Sequence, residues 1–173
     1  MSGVAAVRCF EVDLVGGPSE AEAAAVVRLL AAYASHPLGG AEPLSPTASS
    51  RLVAELRARA AWAHVFLAVD ERGPAPEFVG LLTSFEGFST FACRPLLNVH
   101  DVFVDERYRG LGLAAMLLRA AERTARALGM CKLTLEVLSG NEAAKRAYRK
   151  CGFQAYRLSD EFGTAEFWQK PIE

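Results

Sequence analysis

Val102-Phe103-Val104-Asp105-Glu106-Arg107-Tyr108-Arg109-Gly110-Leu111-Gly112-Leu113-Ala114 reads as a buried strand that passes through a short turn into the start of a helix. The turn is rich in glycine and is led by Arg109. Backbone N–H groups at a helix start have no intrahelical partner, and the aligned peptide dipoles favour negative charge there. Gly110 and Gly112 let an anion come close to the main chain. The stretch is a candidate phosphate cradle.

Spacing separates three kinds of cradle. A Walker-type loop ends in Gly-Lys-Ser/Thr, and Leu113-Ala114-Ala115 supplies none of these. The dinucleotide fingerprint G-x-G-x-x-G/A is formally matched by Gly110, Gly112 and Ala115, with Glu136 as a distant acid. Its first glycine, however, lies six residues beyond Val104, and no second mononucleotide unit follows. The third pattern, R-x-x-G-x-A, is carried by Arg109, Gly112 and Ala114.

A second block narrows the choice. Leu133-Thr134-Leu135-Glu136-Val137 reads as a strand, Ser139-Gly140-Asn141 as a helix start, Glu142 to Lys150 as the helix, and Gly152-Phe153 as its sequel. Asn141, Ala144 and Tyr148 fall on one face of that helix. The two blocks together, over roughly residues 97–153, resemble the signature of the GNAT superfamily, the acetyl-coenzyme-A-dependent N-acetyltransferases. The small-amine and diamine acetyltransferases are the nearest group by likeness: Phe88-Ser89-Thr90-Phe91 and the strand Leu97-Asn98-Val99-His100-Asp101-Val102-Phe103-Val104 carry it.

Composition bounds the remaining readings. The 173 residues are enough for one domain that buries about 70% of its unfolded surface. Hydrophobic residues make up 51% and charged residues 23%, the balance of a soluble globular chain, and a net charge of −1 gives no field to draw it to nucleic acid or membrane. Arg119, Arg123 and Arg126 form a basic stripe beside Glu122, read as a solvated helix face. Cys9, Cys93, Cys131 and Cys151 form no C-x-x-C pair and no cluster with histidine, so reduced buried thiols and no metal site are expected. No apolar run approaches the roughly 20 residues of a membrane span. The start, Met1 to Arg8, lacks a leader pattern, and a cytoplasmic location is expected.

The chain is punctuated as follows. Residues 6–14 alternate as a half-exposed strand, and Gly16-Gly17-Pro18 breaks it. Ser19 to Glu22 is a capping box, with Val26, Val27, Leu30 and Ala34 continuing at helical spacing. Ser35 to Pro46 is a long loop; Ser45-Pro46 opens a second helix that buries Leu52, Val53 and Leu56. Strands follow at Val65–Val69, Phe78–Leu82 and Leu96–Val104, the last preceded by the aromatic segment Phe85–Phe91. A helix from Gly112 to Leu128 shows Leu113, Leu117, Ala121, Thr124 and Leu128 on one face, and a strand covers Met130 to Val137. Strands near Phe153–Leu158 and Ala165–Lys170 would close the fold as a hairpin.

The resemblance implies an α/β (α+β) fold: one GNAT-type domain over residues 1–173, with a mixed, mostly antiparallel central sheet flanked by helices on both faces and two central strands that splay apart. It implies acetyl-CoA as co-substrate, no metal, a primary amine on a small molecule as acceptor, and a homodimer as a possible assembly. A peptide or protein N-terminus is the second acceptor, and a coenzyme-A-binding module without turnover is the alternative to an enzyme. The cofactor would be held by Val102, Phe103 and Val104 of the strand, by the turn Arg109, Gly110, Leu111, Gly112, Leu113 and Ala114, and by Asn141 and Ala144. Arg109 could instead pair with Asp105.

Three residues are candidates for the chemistry. Tyr148 matches the tyrosine that protonates the departing sulfur in many family members; a phenol is a proton donor at neutral pH. His100 lies in the cradle strand, and histidine as a residue type titrates near neutrality, suiting it to take the acceptor's proton. Glu136 is its rival, placed with asparagine five residues on as in acetyltransferases of protein N-termini. Strict alternation puts Asp101 on the side opposite His100, where it anchors a turn or a cationic acceptor. Glu42, Glu86, Asp160 and Glu161 are expected to border the acceptor, as are Ser159 and Phe162.

Overall fold

The computed structural model describes residues 7–159, 161, 163–170 and 172. Strand β1 (Val7–Glu11) leads to helices α1 (Glu20–Ala34) and α2 (Pro46–Ala58), then strands β2 (Ala63–Asp70), β3 (Glu77–Ser89) and β4 (Arg94–Val104). A 3-10 turn (Glu106–Tyr108) precedes α3 (Leu113–Ala127), followed by β5 (Leu133–Leu135), α4 (Glu142–Lys150), β6 (Arg157–Ser159) and β7 (Gly163–Thr164). The element order expected from sequence is the order found. Strands β1 to β5 lie side by side in chain order, antiparallel except for the parallel pair β4–β5.

Helix starts follow local chemistry. Ser19 closes a capping box with Glu22, and Ser45 caps α2 with Pro46 in its first turn. Each helix then seats an apolar stripe on the sheet. Leu113, Leu117, Leu118 and Ala121 of α3 pack on Phe66, Ala68, Leu82, Leu97 and Val99. Ala25, Val26 and Leu29 of α1 and Leu56 of α2 cover Val65, Leu67, Leu81 and Phe103 on the other face. Truncating a core leucine such as Leu117, 0% exposed, costs about 2–5 kcal/mol. An exposed pair such as Arg126–Glu122 contributes at most about 0.5 kcal/mol, so packing decides the architecture.

Several boundaries differ from the sequence expectation. The α1 stripe runs through Ala25 and Leu29, with Leu30 only half-buried. Leu128 is 50% exposed at the end of α3, whereas Leu118, Ala120 and Ala125 are buried; the helix is sandwiched more broadly than one stripe requires. Strand β3 runs on to Ser89 and takes in Phe85 to Phe88, because each residue of this stretch finds a partner in β4. Strand β5 shrinks to Leu133–Leu135, the residues in ladder register with Leu97 to Val99 of β4. Strands β6 and β7 are shorter than expected, shifted to Arg157–Ser159 and Gly163–Thr164, and form their own two-stranded sheet. The expected end residues Asp160 and Phe162 lie outside the described residues. Cys93 is exposed and the other three thiols are half-buried, so they are free but not all sheltered.

One buried polar cluster escaped the sequence reading. His64, 9% exposed, places Nδ1 2.7 Å from Glu11 Oε1 and Nε2 3.1 Å from Glu86 Oε1, and Thr124 donates to the other oxygen of Glu11. A neutral imidazole donates from one nitrogen only, an imidazolium from both. The hydrogen bond to Glu11 is the largest influence on His64 and raises its pKa; burial opposes it, Glu86 adds to it, and the net is upward. Burial pushes the Glu11 carboxyl up, but the bonds from His64 and Thr124 outweigh it and the net is downward. The clamp ties β1, β2, β3 and α3 together.

A raised folded-state pKa contributes stability that is fully present below the ordinary histidine value of 6.5 and is lost as pH climbs through the folded value. Scanning calorimetry from about pH 5.5 to 9 should therefore show the melting temperature falling above the ordinary value. His64→Gln should flatten that fall. An unchanged slope in the variant would show that the clamp does not carry the charge.

Candidate active site

The site is built where β4 and β5 part. Their pairing covers Leu97↔Leu133, Asn98↔Thr134 and Val99↔Leu135, after which β4 runs five residues further with no strand on its β5 side. A β-bulge sits at the parting point. Thr83 of β3 pairs with Asp101 and Ser84 with Val99, leaving His100 as the extra residue. The bulge reverses the alternation: Leu97 and Val99 face the α3 core, but so do Val102 and Val104 beyond it, while Phe103 faces α1.

This corrects the expected placement of Asp101. It lies on the same face as His100, not the opposite one. The His100 ring meets Phe85 edge-on at 4.9 Å, and Asp101 accepts a hydrogen bond from Thr83; Phe85 and Thr83 are two residues apart on one face of β3. Burial raises the Asp101 carboxyl, with Thr83 and the nearby His100 pulling the other way. Glu136, exposed just past β5, has its partner on this face too: Asn98 Nδ2 lies 3.4 Å from it and 2.9 Å from Thr134 Oγ1.

Beyond Val104 the chain enters the predicted cradle. Gly110 and Gly112 adopt positive φ values of 79° and 85°, and a Cβ at either would meet nothing within 4 Å. The backbone is therefore open to an approaching group. Ser19, Ser45 and Asn141 cap α1, α2 and α4 through their side chains, whereas α3 starts at Gly112 with no side-chain cap. The first N–H groups of α3 are those free for an anion. Arg109 pairs with Glu106 at 3.3 Å and donates to the Val104 carbonyl; the alternative pairing with Asp105 is taken by Arg107 instead. His36, from the loop after α1, lies 3.9 Å from Glu106 and brings that loop to the cradle.

Helix α4 brings Tyr148 to the parting of the strands. Its ring packs on the α3-side core beside Phe153, 6.0 Å away. Desolvation, with the Tyr33 phenol adding to it, pushes the Tyr148 hydroxyl up to about 12, so it stays protonated across the physiological range. Tyr33 was missed from sequence. It sits in the last turn of α1, its ring 6.2 Å from Phe103, and burial and then the Asp101 charge raise its pKa. Tyr33 packs on the α1-side core and Tyr148 on the α3-side core. Asn141 spends its side-chain oxygen on the Ala144 N–H at 3.1 Å, as a helix cap does. Glu86 is committed to His64 and does not border the acceptor face; Asp160 and Phe162 lie outside the described residues. Among the described residues no group of three or more His, Cys, Asp or Glu is arranged to hold a metal ion.

The family model of the Acetyltransferase (GNAT) family matches residues 30–153, from the end of α1 through the cradle to α4. The chain belongs to the GNAT acetyltransferase family. A stretch of 56 residues is 39% identical to the Uncharacterized N-acetyltransferase YycN of Bacillus subtilis (strain 168), over 32% of this chain and 36% of that protein. A stretch of 74 residues is 38% identical to the Streptothricin acetyltransferase of Streptomyces lavendulae, over 43% of this chain and 39% of that protein. The matched stretches thus span well under half of either relative. An aminoglycoside acetyltransferase, meta-AAC0020 from an uncultured soil metagenomic sample, solved in complex with trehalose, superimposes with a TM-score of 0.71 at 19% identity, over 96% of this chain and 97% of that one. That likeness establishes the GNAT fold.

The open glycine turn makes a testable statement. A side chain forced to positive φ costs roughly 1–2 kcal/mol wherever it sits, so Gly112→Val needs a matched control. Gly129, at the other end of α3, also has positive φ (68°) and open space beyond it. Calorimetric titration with CoA should show binding weakened at least about tenfold by Gly112→Val and unchanged by Gly129→Val. Equal affinities in the two variants would remove the cradle assignment.

Proposed function

We infer that this GNAT enzyme transfers an acetyl group from acetyl-CoA to a primary amine on a small cationic molecule, by direct attack within a ternary complex. The observation that carries the reading is the uncapped, glycine-opened start of α3 lying beside the unpaired edge of β4, with Tyr148 alongside. Acetyl-CoA supplies the acetyl thioester. Its pyrophosphate fits the N–H groups of Gly110 to Ala114, with Arg109 exchanging Glu106 for phosphate. The pantetheine arm fits along the free backbone edge of Val102, Phe103 and Val104, and Asn141 and Ala144 border it from α4.

Each step then has a group in place. His100, adjacent to Asp101 on the same face and open to solvent, takes the proton from the acceptor ammonium, and the imidazolium so formed is drawn to the Asp101 carboxylate. The freed amine forms the new C–N bond as the C–S bond breaks. Tyr148 gives its proton to the departing thiolate, for which its raised pKa keeps it loaded. Asp101 differs from Glu11, Asp70, Glu77 and Asp105: the hydrogen bond it accepts comes from the Thr83 hydroxyl. A cationic acceptor compensates such a desolvated carboxylate. The names of two similar proteins, a streptothricin and an aminoglycoside acetyltransferase, favour a polycationic small molecule over a peptide. Glu136 as base is the second reading, favoured by its polar row with Asn98 and Thr134.

Tyr148→Phe keeps the ring and its packing and removes only the proton donor. In single-turnover measurements with acetyl-CoA and a panel of amines, the transfer rate should fall roughly 10²- to 10⁴-fold with CoA affinity unchanged. A variant that transfers at the normal rate would assign Tyr148 to packing.

The base is assigned by comparing pH profiles. His100→Gln should abolish the rising limb of kcat/KM with pH, and Glu136→Gln should leave it in place. The opposite pattern would transfer the role to Glu136 and bring peptide N-termini forward as acceptors.

A further inference from the structure

Between Asp105 and Gly112, Tyr108 is the one buried side chain, 8% exposed. Packed in the α3-side core, it reaches with its hydroxyl to the ends of two strands. Its hydroxyl donates to Asp70 Oδ2 at 2.9 Å and lies 3.1 Å from Glu77 Oε2. Asp70 ends β2 and Glu77 begins β3, and the two are directly opposite each other in the ladder. Like charges in that relation are destabilising. Here they are compensated from three directions. Arg72 holds Asp70 through Nε at 2.8 Å and Nη2 at 2.6 Å; Arg107 bridges Glu77 and Asp105; Tyr108 fills the space between. The guanidinium of Arg107 also lies 5.6 Å from the centre of the Tyr108 ring. The facing acids form a two-acceptor socket, and the residue seated in it lies immediately before Arg109.

We propose that Tyr108 is a positioning residue for the phosphate cradle, holding the turn against the β2–β3 hairpin so that the N–H groups from Gly110 onward are set for a pyrophosphate before it arrives. Glycines permit the close approach but do not fix it, because each samples more backbone conformations than any other residue. The cradle is therefore held by its flanks. On one side Leu113 and Leu117, 1% and 0% exposed, seat α3 on the sheet. On the other side the Asp105 N–H bonds to the Val79 carbonyl at 2.9 Å, and Tyr108 continues that anchorage to within two residues of Gly110. Neighbouring arginines divide the work. Arg107 is tied into the socket, while Arg109, whose partners among the described residues are the exposed Glu106 and one carbonyl, is the one able to turn to a ligand.

This inference rests on the reading of residues 109–114 as the pyrophosphate site, and the test separates the two. CoA and pantetheine serve as probes, because pantetheine lacks the pyrophosphate. Tyr108→Phe keeps the buried ring and loses the hydroxyl. It should weaken CoA binding roughly 5- to 20-fold, measured by calorimetry, and leave pantetheine binding, measured by NMR titration, unchanged. A general structural defect would weaken both probes by the same factor and would overturn the proposal. So would a variant that binds CoA as the wild type does. Glu77→Gln, at a half-exposed position that spares the core, should shift the same ratio in the same direction. A wild-type protein that binds no CoA at all would instead remove the cradle reading, and this inference with it.

Discussion

The short parallel contact between β4 and β5 is the constraint on which the site depends. Three residue pairs hold the strands together, and a bulge at His100 then turns β4 while β5 ends. An unpaired strand edge inside a protein is a liability, because its N–H and C=O groups need partners. Under the proposed function that edge, Val102 to Val104, is what an extended, amide-bearing ligand arm would use. Tyr148 packs on the α3 side of the sheet and Tyr33 on the α1 side.

Charge is distributed around this opening with a consistent logic. Acids that serve the scaffold are paired with cations: Glu11 and Glu86 with His64, Asp70 with Arg72, Glu77 and Asp105 with Arg107. Asp101 has Thr83 instead, and burial raises its carboxyl. The helix starts show the same contrast. Three are closed by side-chain caps, and the fourth is left open beside the cradle. Groups whose electrostatic needs are met within the chain build the frame. Those left partly unmet are the ones the proposed function draws on.

Positioning reaches well beyond the residues that would touch a ligand. Gly80 lets α3 lie close on the sheet, since a Cβ there would meet Ala68 and Leu117 at 3.2 Å. The start of α3 is thereby aimed at the end of β4. Tyr108 fixes the other flank from the β2–β3 hairpin. The loop after α1 approaches the turn before α3 through His36 and Glu106.

Local chemistry was readable from the residues alone. The capping box at Ser19, the Ser45-Pro46 start, the Asn141 cap, the glycine turn and the α4 boundaries all follow from interactions within a few residues, and they appear where the spacing put them. The order of elements followed, and with it the family. What needed the tertiary structure were features set by partners distant in sequence. Alternation along β4 placed Asp101 opposite His100, and only the pairing with β3 shows the extra residue that reverses it. Glu11 and Glu86, which flank His64, lie 53 and 22 residues from it. Tyr33 is made part of the site by a ring contact with Phe103 of a distant strand. Tyr108 passed as part of a turn, because its carboxylate partners are 31 and 38 residues away. A sequence carries the preferences of each residue for its neighbours along the chain. Which strand carries a bulge, and which acid meets which base, is decided by packing two layers of helices on a twisted sheet.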